Sequence, residues 1–327
     1  MSPTATVQRI VHCDWGAKNS KRVMCTADVL NGAWFIGTLS EAGETRTLLQ
    51  RIRNGLDPRD RVVIGFDFPI GYPQAFGEKA GLGSFVDAVP IFGEGKWEHF
   101  FSKTNDANLV SIYRPFYPRT GKPKGSTSEK LHLSALGMQR RDWFRRCELS
   151  TSNRDPASPL FWTLGPKAVG TAALCGWQEI LQPLLADTNR SFQVWPFEGD
   201  LNSILEQGHD VVVETYPAEA YNHIGFPDYW KGKTKQEKRR KRAGDILGWA
   251  EKNHVSISEP IRRQIEDGFG AEAKGEDPFD ALIGICSMIA VVKGVRPEGP
   301  EGFRTIEGIA NHEGWIFGQQ SMPDSQK

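Results

Sequence analysis

Four acidic residues stand where apolar segments of the sequence would bring them to one place. Asp14, Asp67 and Glu214 each end a run of mostly apolar residues that is typical of a strand, and Asp280 lies inside an apolar run near the start of a late helix. A carboxylate at the end of an apolar strand does not stabilise the fold unless water or a cation binds it there. Carboxylates that converge on one edge of a sheet repel each other, and a hard divalent cation relieves that repulsion. These residues therefore predict a metal-dependent phosphoryl-transfer site.

The expected metal ligands are Asp14, Asp67, Glu214 and Asp280, with Asp277 in reserve, and the first four are also the expected catalytic residues. Asp277 precedes Asp280 by three residues, so both face one side of a helical turn. Such a cluster can hold two Mg²⁺ or Mn²⁺ ions roughly 4 Å apart. One ion would activate a water molecule and the other would stabilise the leaving 3′ oxygen of a phosphodiester, so no protein nucleophile is required.

Each acid also has a structural interpretation. Asp14 and Asp67 could cap the loops that follow their strands, and Glu214 could bond the backbone of its own following loop. Asp277 could be the N-cap of the late helix, because the proline after it suits the first helical position. Asp280 is the hardest to explain in this way, because an unpaired charge on an apolar helix face is costly.

The order of predicted elements brings these acids together. Residues 7–14, 22–29 and 34–39 are typical of a three-stranded meander, and Asn31-Gly32 suits the tight turn between its last two strands. A helix over 44–54 and an apolar central strand over 61–67 follow. Further strands are predicted at 192–197 and 210–214, and helices at 165–186, 233–253, 257–269 and 277–292. Residues 75–190 are rich in Gly, Pro and aromatic residues, so we expect an insertion packed on a core made of 1–74 and 191–327.

Basic residues could bind the phosphates of a substrate. The run 231–242 could follow a phosphate backbone, although a solvated helix face explains it equally well. Arginines interleaved with aromatic residues at 113–119 and 140–146 suit contact with unstacked bases, or they pack the insertion's own small core. The candidate phosphate contacts are Lys18, Arg114, Arg119, Arg146, Lys167, Lys235 and Arg239.

Composition narrows the class of protein. The 327 residues include 40 basic and 40 acidic residues, and this balance argues against a general coat for nucleic acid. Five scattered cysteines without a Cys-x-x-Cys pair indicate reduced thiols rather than disulfides or a zinc ribbon. The sequence shows no signal peptide and no apolar stretch long enough to span a bilayer, so we expect a soluble cytoplasmic protein without a membrane partner. Motifs of dinucleotide enzymes, P-loop NTPases and α/β-hydrolases are missing from the sequence.

The order of elements resembles the ribonuclease-H-like fold, with acids on strands one and four and on the late helix. The segment 277–281, Asp-Pro-Phe-Asp-Ala, resembles the helix start of RuvC-type nucleases. More closely, the chain is similar to a bacterial family of unknown function described as predicted RNase-H-like nucleases. The shared phrases span nearly the whole chain and lie at residues 14–17, 65–71, 165–170, 214–217, 277–281 and 313–318.

The resemblance implies an α/β fold with a mixed five-stranded sheet, flanking helices and a large insertion after strand four. Strand one would be central with strand four beside it, so Asp14 and Asp67 would be neighbours, Glu214 would approach from strand five and Asp280 from the helix above. The implied function is a nuclease that hydrolyses phosphodiester bonds in DNA or RNA with Mg²⁺ or Mn²⁺ as cofactor. The alternatives are a non-catalytic nucleic-acid-binding or scaffold protein, and an ATPase-like or kinase-like phosphoryl-transfer enzyme acting on a small phosphorylated substrate.

Overall fold

The computed structural model describes residues 7–120, 128–165 and 168–322. Its centre is a mixed seven-stranded sheet with the strand order β5-β6-β4-β1-β2-β3-β7. The strands are β1 (Val7–Asp14), β2 (Val23–Leu30), β3 (Ala33–Glu41), β4 (Arg61–Phe66), β5 (Phe192–Val194), β6 (Asp210–Glu214) and β7 (Val255–Ile257).

The pairing of the strands brings three of the predicted acids to one edge. β1, β2 and β3 form the predicted antiparallel meander, and Asn31 and Gly32 turn the chain between β2 and β3 with φ angles of 52° and 81°. β4 pairs parallel with β1, and β6 pairs parallel with β4. The carboxyl ends of β1, β4 and β6 therefore share one edge, where Asp14, Asp67 and Glu214 lie.

The sheet has two strands more than the five expected. β5 extends one edge beside β6, and β7 pairs parallel with β3 at the opposite edge. Both strands are only three residues long: β5 lies within the strand predicted at 192–197, whereas β7 is not predicted, because three residues are too few to show an alternating pattern. β7 ends at the residue where a helix was predicted to begin.

The helices of the described residues are α1 (Leu48–Arg53), α2 (Gln74–Ala80), α3 (Phe85–Ala88), α4 (Glu129–Leu136), α5 (Gly170–Gly176), α6 (Gln182–Ala186), α7 (Leu201–Glu206), α8 (Pro217–Ala220), α9 (Gln236–Arg240), α10 (Ala243–Lys252), α11 (Glu259–Asp267) and α12 (Glu276–Val292). A π-helical turn joins α5 to α6. The single helix predicted over 233–253 is wrong: α9 and α10 are separate, and residues 231–235 precede them as a loop. Among the described residues, every helix is too short or too polar to cross a bilayer.

Two apolar cores cover the two faces of the sheet. On one face α12 packs against β1 and β2. On the other face, aromatic residues from the 75–190 segment, such as Phe85 and Trp177, join one cluster with Val11 of β1 and Ile64 of β4. The segment predicted to be an insertion thus shares a core with the two strands that carry Asp14 and Asp67.

Two glycines allow α12 to lie close to the sheet. A Cβ atom at Gly284 would fall inside the van der Waals radius of the His12 ring on β1, and a Cβ at Gly65 on β4 would lie 2.6 Å from Met288 Sδ on α12. Contacts this short are not tolerated in a packed core. The close approach carries the first turns of α12, and with them Asp280, to the acidic edge of the sheet.

Candidate functional site

Asp14 and Asp67 form the centre of the site. Cys13 pairs with Phe66 in the parallel ladder, and the Asp67 amide donates to the Cys13 carbonyl at 3.0 Å. Asp14 follows Cys13 and Asp67 follows Phe66, so the two carboxyl groups lie side by side. Both residues remain partly exposed at the edge of the sheet. This juxtaposition agrees with what the sequence predicts for these two acids.

Burial and neighbouring acids disfavour the charged form of both carboxyl groups. Burial, and then repulsion from Asp67 and Asp280, raise the pKa of Asp14 well above its usual range. Burial also raises the pKa of Asp67 to about 7, against the opposing effect of Lys233 and a hydrogen bond with Asp14. The pair therefore retains a proton near neutral pH, and a divalent cation could take the place of that proton.

Asp280 lies beside this pair but is already paired. Its side chain is 2% exposed; the Tyr221 hydroxyl donates to Oδ1 at 2.7 Å and the Lys233 ammonium donates to Oδ2 at 2.5 Å. The attraction of Asp280, assisted by Asp67 and Asp14, raises the pKa of Lys233 against the opposing effect of partial desolvation. The sequence indicates a costly charge at position 280, and Lys233 and Tyr221 remove most of that cost.

Glu214 is also neutralised by a cation. Arg145 binds its carboxylate through both terminal nitrogens, at 2.6 Å to Oε2 and 2.7 Å to Oε1, and both side chains are buried. The Ile70 amide donates to Oε2 at 2.6 Å. Glu214 thus fixes the loop that follows Asp67, and both of its oxygens are occupied by donors of the protein.

Asp277 stands at the rim of the cluster. Its Oδ2 accepts from the Lys21 ammonium at 3.2 Å, and its charge contributes to the raised pKa of Asp14. The N-cap of α12 is Gly275, so Asp277 is not the helix cap that the structural interpretation proposed. It lies in the first turn, where a negative charge is favoured by the helix dipole.

Three of the candidate phosphate contacts donate hydrogen bonds to oxygen atoms of the protein. Arg239 is buried and donates to the carbonyls of Gly268 and Gly270 at 2.9 and 2.8 Å and to the carbonyl of Lys233. Arg114 donates to two backbone carbonyls at 3.2 and 3.4 Å, and Arg146 donates to a carbonyl at 2.5 Å and an amide oxygen at 3.0 Å.

The other four candidates differ in position. Lys18, Arg119 and Lys235 are exposed, and Lys18 lies in the loop directly after β1. Lys167 falls outside the described residues. The 75–190 segment also contains a small separate apolar core, made of Val110, Tyr117, Leu136 and Trp143. This core favours the packing interpretation of the arginine-rich and aromatic segments.

Sequence reasoning missed three residues of the site: Lys233, Arg145 and Tyr221. Lys233 counted only as one charge in a basic run, because its partner Asp280 is 47 residues away and no local pattern links them. A weak signal existed for Arg145, since it alternates with the buried residues Trp143 and Cys147 and so points to the interior. Tyr221 carried no signal that distinguishes it from an ordinary core residue.

The donor set of Asp14 and Asp67 fits a hard cation. Within the ranges described, no three His, Cys, Asp or Glu side chains are grouped so as to form a complete metal-binding set. Mg²⁺ commonly binds through one or two carboxylates and keeps water or substrate phosphate as its remaining ligands. Two adjacent, partly exposed carboxyl groups that repel each other meet that description. Asp280 and Glu214 do not, because each is already bound to a cationic side chain.

No family model matches this chain, and neither the curated proteins nor the solved structures include a match to it.

Proposed function

We propose that this protein is a divalent-metal-dependent phosphodiesterase of the ribonuclease-H-like class that hydrolyses phosphodiester bonds in nucleic acid. The observation that carries the proposal is the carboxyl pair of Asp14 and Asp67 at the carboxyl edge of two parallel central strands. The antiparallel meander and the parallel β1-β4-β6 pairing support the resemblance to that fold.

The chain divides its acids between two roles in this proposal. Asp14 and Asp67 hold Mg²⁺ or Mn²⁺, which when bound supplies positive charge for a phosphoryl group and lowers the pKa of a water molecule. Glu214 fixes the loop after β4 through the Ile70 amide, and Asp280 holds Lys233. We therefore assign metal binding to Asp14 and Asp67 and positioning to Glu214 and Asp280.

A small phosphorylated substrate is the second candidate. Arg239 is buried, and the guanidinium groups of Arg114 and Arg146 already bind oxygens of the protein, which makes all three poorer contacts for a phosphate backbone. The balanced net charge points the same way, since polymer-binding proteins are usually basic.

Hydrolysis assays separate the two candidates. Bis(p-nitrophenyl) phosphate reports phosphodiester chemistry without polymer binding, and single-stranded DNA and RNA oligonucleotides report nuclease activity. We expect cleavage with Mn²⁺ or Mg²⁺ that EDTA abolishes, and a loss of at least about 100-fold in Asp14→Asn and Asp67→Asn. Asp228→Asn, at an exposed acid, serves as the matched control.

The pattern of substrates decides the outcome. Cleavage of the oligonucleotides supports the nuclease, and cleavage of the small diester alone supports the second candidate. Activity that survives EDTA, or that is equal in Asp67→Asn and wild type, contradicts both.

A further inference from the structure

Lys233 is bound to a buried acid of the site and is also open to solvent. Its ammonium nitrogen lies 2.5 Å from Asp280 Oδ2, and its charge also acts on Asp14 and Asp67. The side chain is nevertheless 45% exposed, whereas that of Asp280 is 2% exposed. A cation therefore faces solvent beside the two acids proposed to hold the metal, with its own counter-ion behind it.

The backbone under Lys233 is held in place. The buried guanidinium of Arg239 donates to the Lys233 carbonyl and ties it to the carbonyls of Gly268 and Gly270 before α12. On the other side of Lys233, the Trp230 ring packs edge-on against Tyr221 with 4.8 Å between ring centroids. Tyr221 in turn donates to Asp280, so the cation and its partner are fixed by the same small group of residues.

The charges of the site balance with a single divalent ion. Asp14, Asp67 and Asp280 carry three negative charges when ionised, and Lys233 returns one. Asp277 is paired separately with Lys21. Two negative charges remain, which one Mg²⁺ or Mn²⁺ neutralises. A second divalent ion would leave an excess of positive charge and would have to enter beside an ammonium group.

We propose that Lys233 is the second cation of this site, that its ammonium group is placed to bind a phosphoryl oxygen of the substrate, and that the site takes one divalent metal ion rather than two. This inference rests on the proposed function. It differs from the two-ion arrangement that the sequence predicts. In this inference Lys233 takes the place of one metal ion, and no local sequence pattern indicates that Lys233 lies in the site.

Calorimetric titration with Mn²⁺ tests the inference without any substrate. Wild type should bind one ion per chain. Lys233→Met keeps the alkyl stem and removes the charge, so its affinity for Mn²⁺ should rise by about tenfold or more. Lys233→Arg keeps the charge and should remain within about threefold of wild type. Lys231→Met, which removes a neighbouring lysine paired with the exposed Asp155, is the matched control and should leave the affinity unchanged.

The possible results separate this inference from the proposed function. Two ions per wild-type chain, or no gain of affinity in Lys233→Met, overturn the role of Lys233 while leaving a metal site in place. Absence of binding by both proteins overturns the metal site and this inference together. The number of ions bound by wild type is measured without any variant. A second bound ion would therefore overturn the role of Lys233 even if Lys233→Met does not fold.

Discussion

The metal-free protein should become less stable as the pH rises, because Asp67 then loses its proton. Replacing Asp67 by Asn should remove this contribution to the pH dependence. The pKa of this carboxyl group is raised from 3.8 to about 7 in the folded protein, first by burial and then by repulsion from Asp280. The folded state therefore holds the proton more tightly than the unfolded state does. The resulting stabilisation is complete below about pH 4 and is lost as the pH rises to about 7.

The magnitude follows from the difference between the two pKa values. At about 1.36 kcal/mol per pKa unit the full effect is ~4 kcal/mol, and solvent around the partly exposed side chain reduces it to ~2 kcal/mol. Asn at position 67 does not titrate, so its protein should lack this component of the pH dependence. At about pH 8 we expect Asp67→Asn to be more stable than wild type by ~2 kcal/mol.

Chemical denaturation in EDTA between about pH 5 and pH 8 measures this effect. Wild type and the control Asp228→Asn should both lose stability over the range, while Asp67→Asn should change much less. Addition of Mn²⁺ at the upper end should stabilise wild type by mass action and leave Asp67→Asn nearly unchanged. Parallel curves for wild type and Asp67→Asn, or a variant that is the less stable protein at high pH, would refute the reasoning.

Two further substitutions test the framework around the acids, each by denaturant unfolding at neutral pH. Arg145→Met leaves the buried carboxylates of Glu214 and Glu148 without their shared cation and should lower the free energy of unfolding by about 3 kcal/mol. A loss below about 1 kcal/mol would mean that Arg145 does not hold this part of the framework in place. Gly284→Ala places a methyl group against the His12 ring and should cost about 2–3 kcal/mol by forcing α12 away from β1; the solvent-facing Gly248→Ala, at a helix position with open space, is its control and should be neutral or stabilising.

The central strands and the acidic edge could be predicted from the sequence. β1, β4 and β6 are apolar runs that stop at or just before an acid, and parallel neighbours necessarily end at one edge. The position of Asp280 followed from a helix start with a single charge on an apolar face. These features are local, so periodicity and residue type were sufficient to find them.

The partners of the acids could not be predicted in this way. Arg145 meets Glu214 across 69 residues of sequence, and Lys233 meets Asp280 across 47. Such ion pairs depend on how distant loops pack against each other, and the spacing of residues along the sequence does not indicate this packing. Arg239 is a further example: its side chain turns inward to the carbonyls of Gly268 and Gly270, although its basic neighbours indicate a solvated face.

The most direct test of the metal site is a crystal structure of the protein soaked in Mn²⁺ and measured for anomalous scattering. We expect one strong anomalous peak within coordination distance of the Asp14 and Asp67 carboxylates, with Lys233 still bound to Asp280. A saturating soak that leaves these two carboxylates without a peak, or that places manganese only elsewhere, would contradict the assignment of a metal-dependent site to this edge of the sheet.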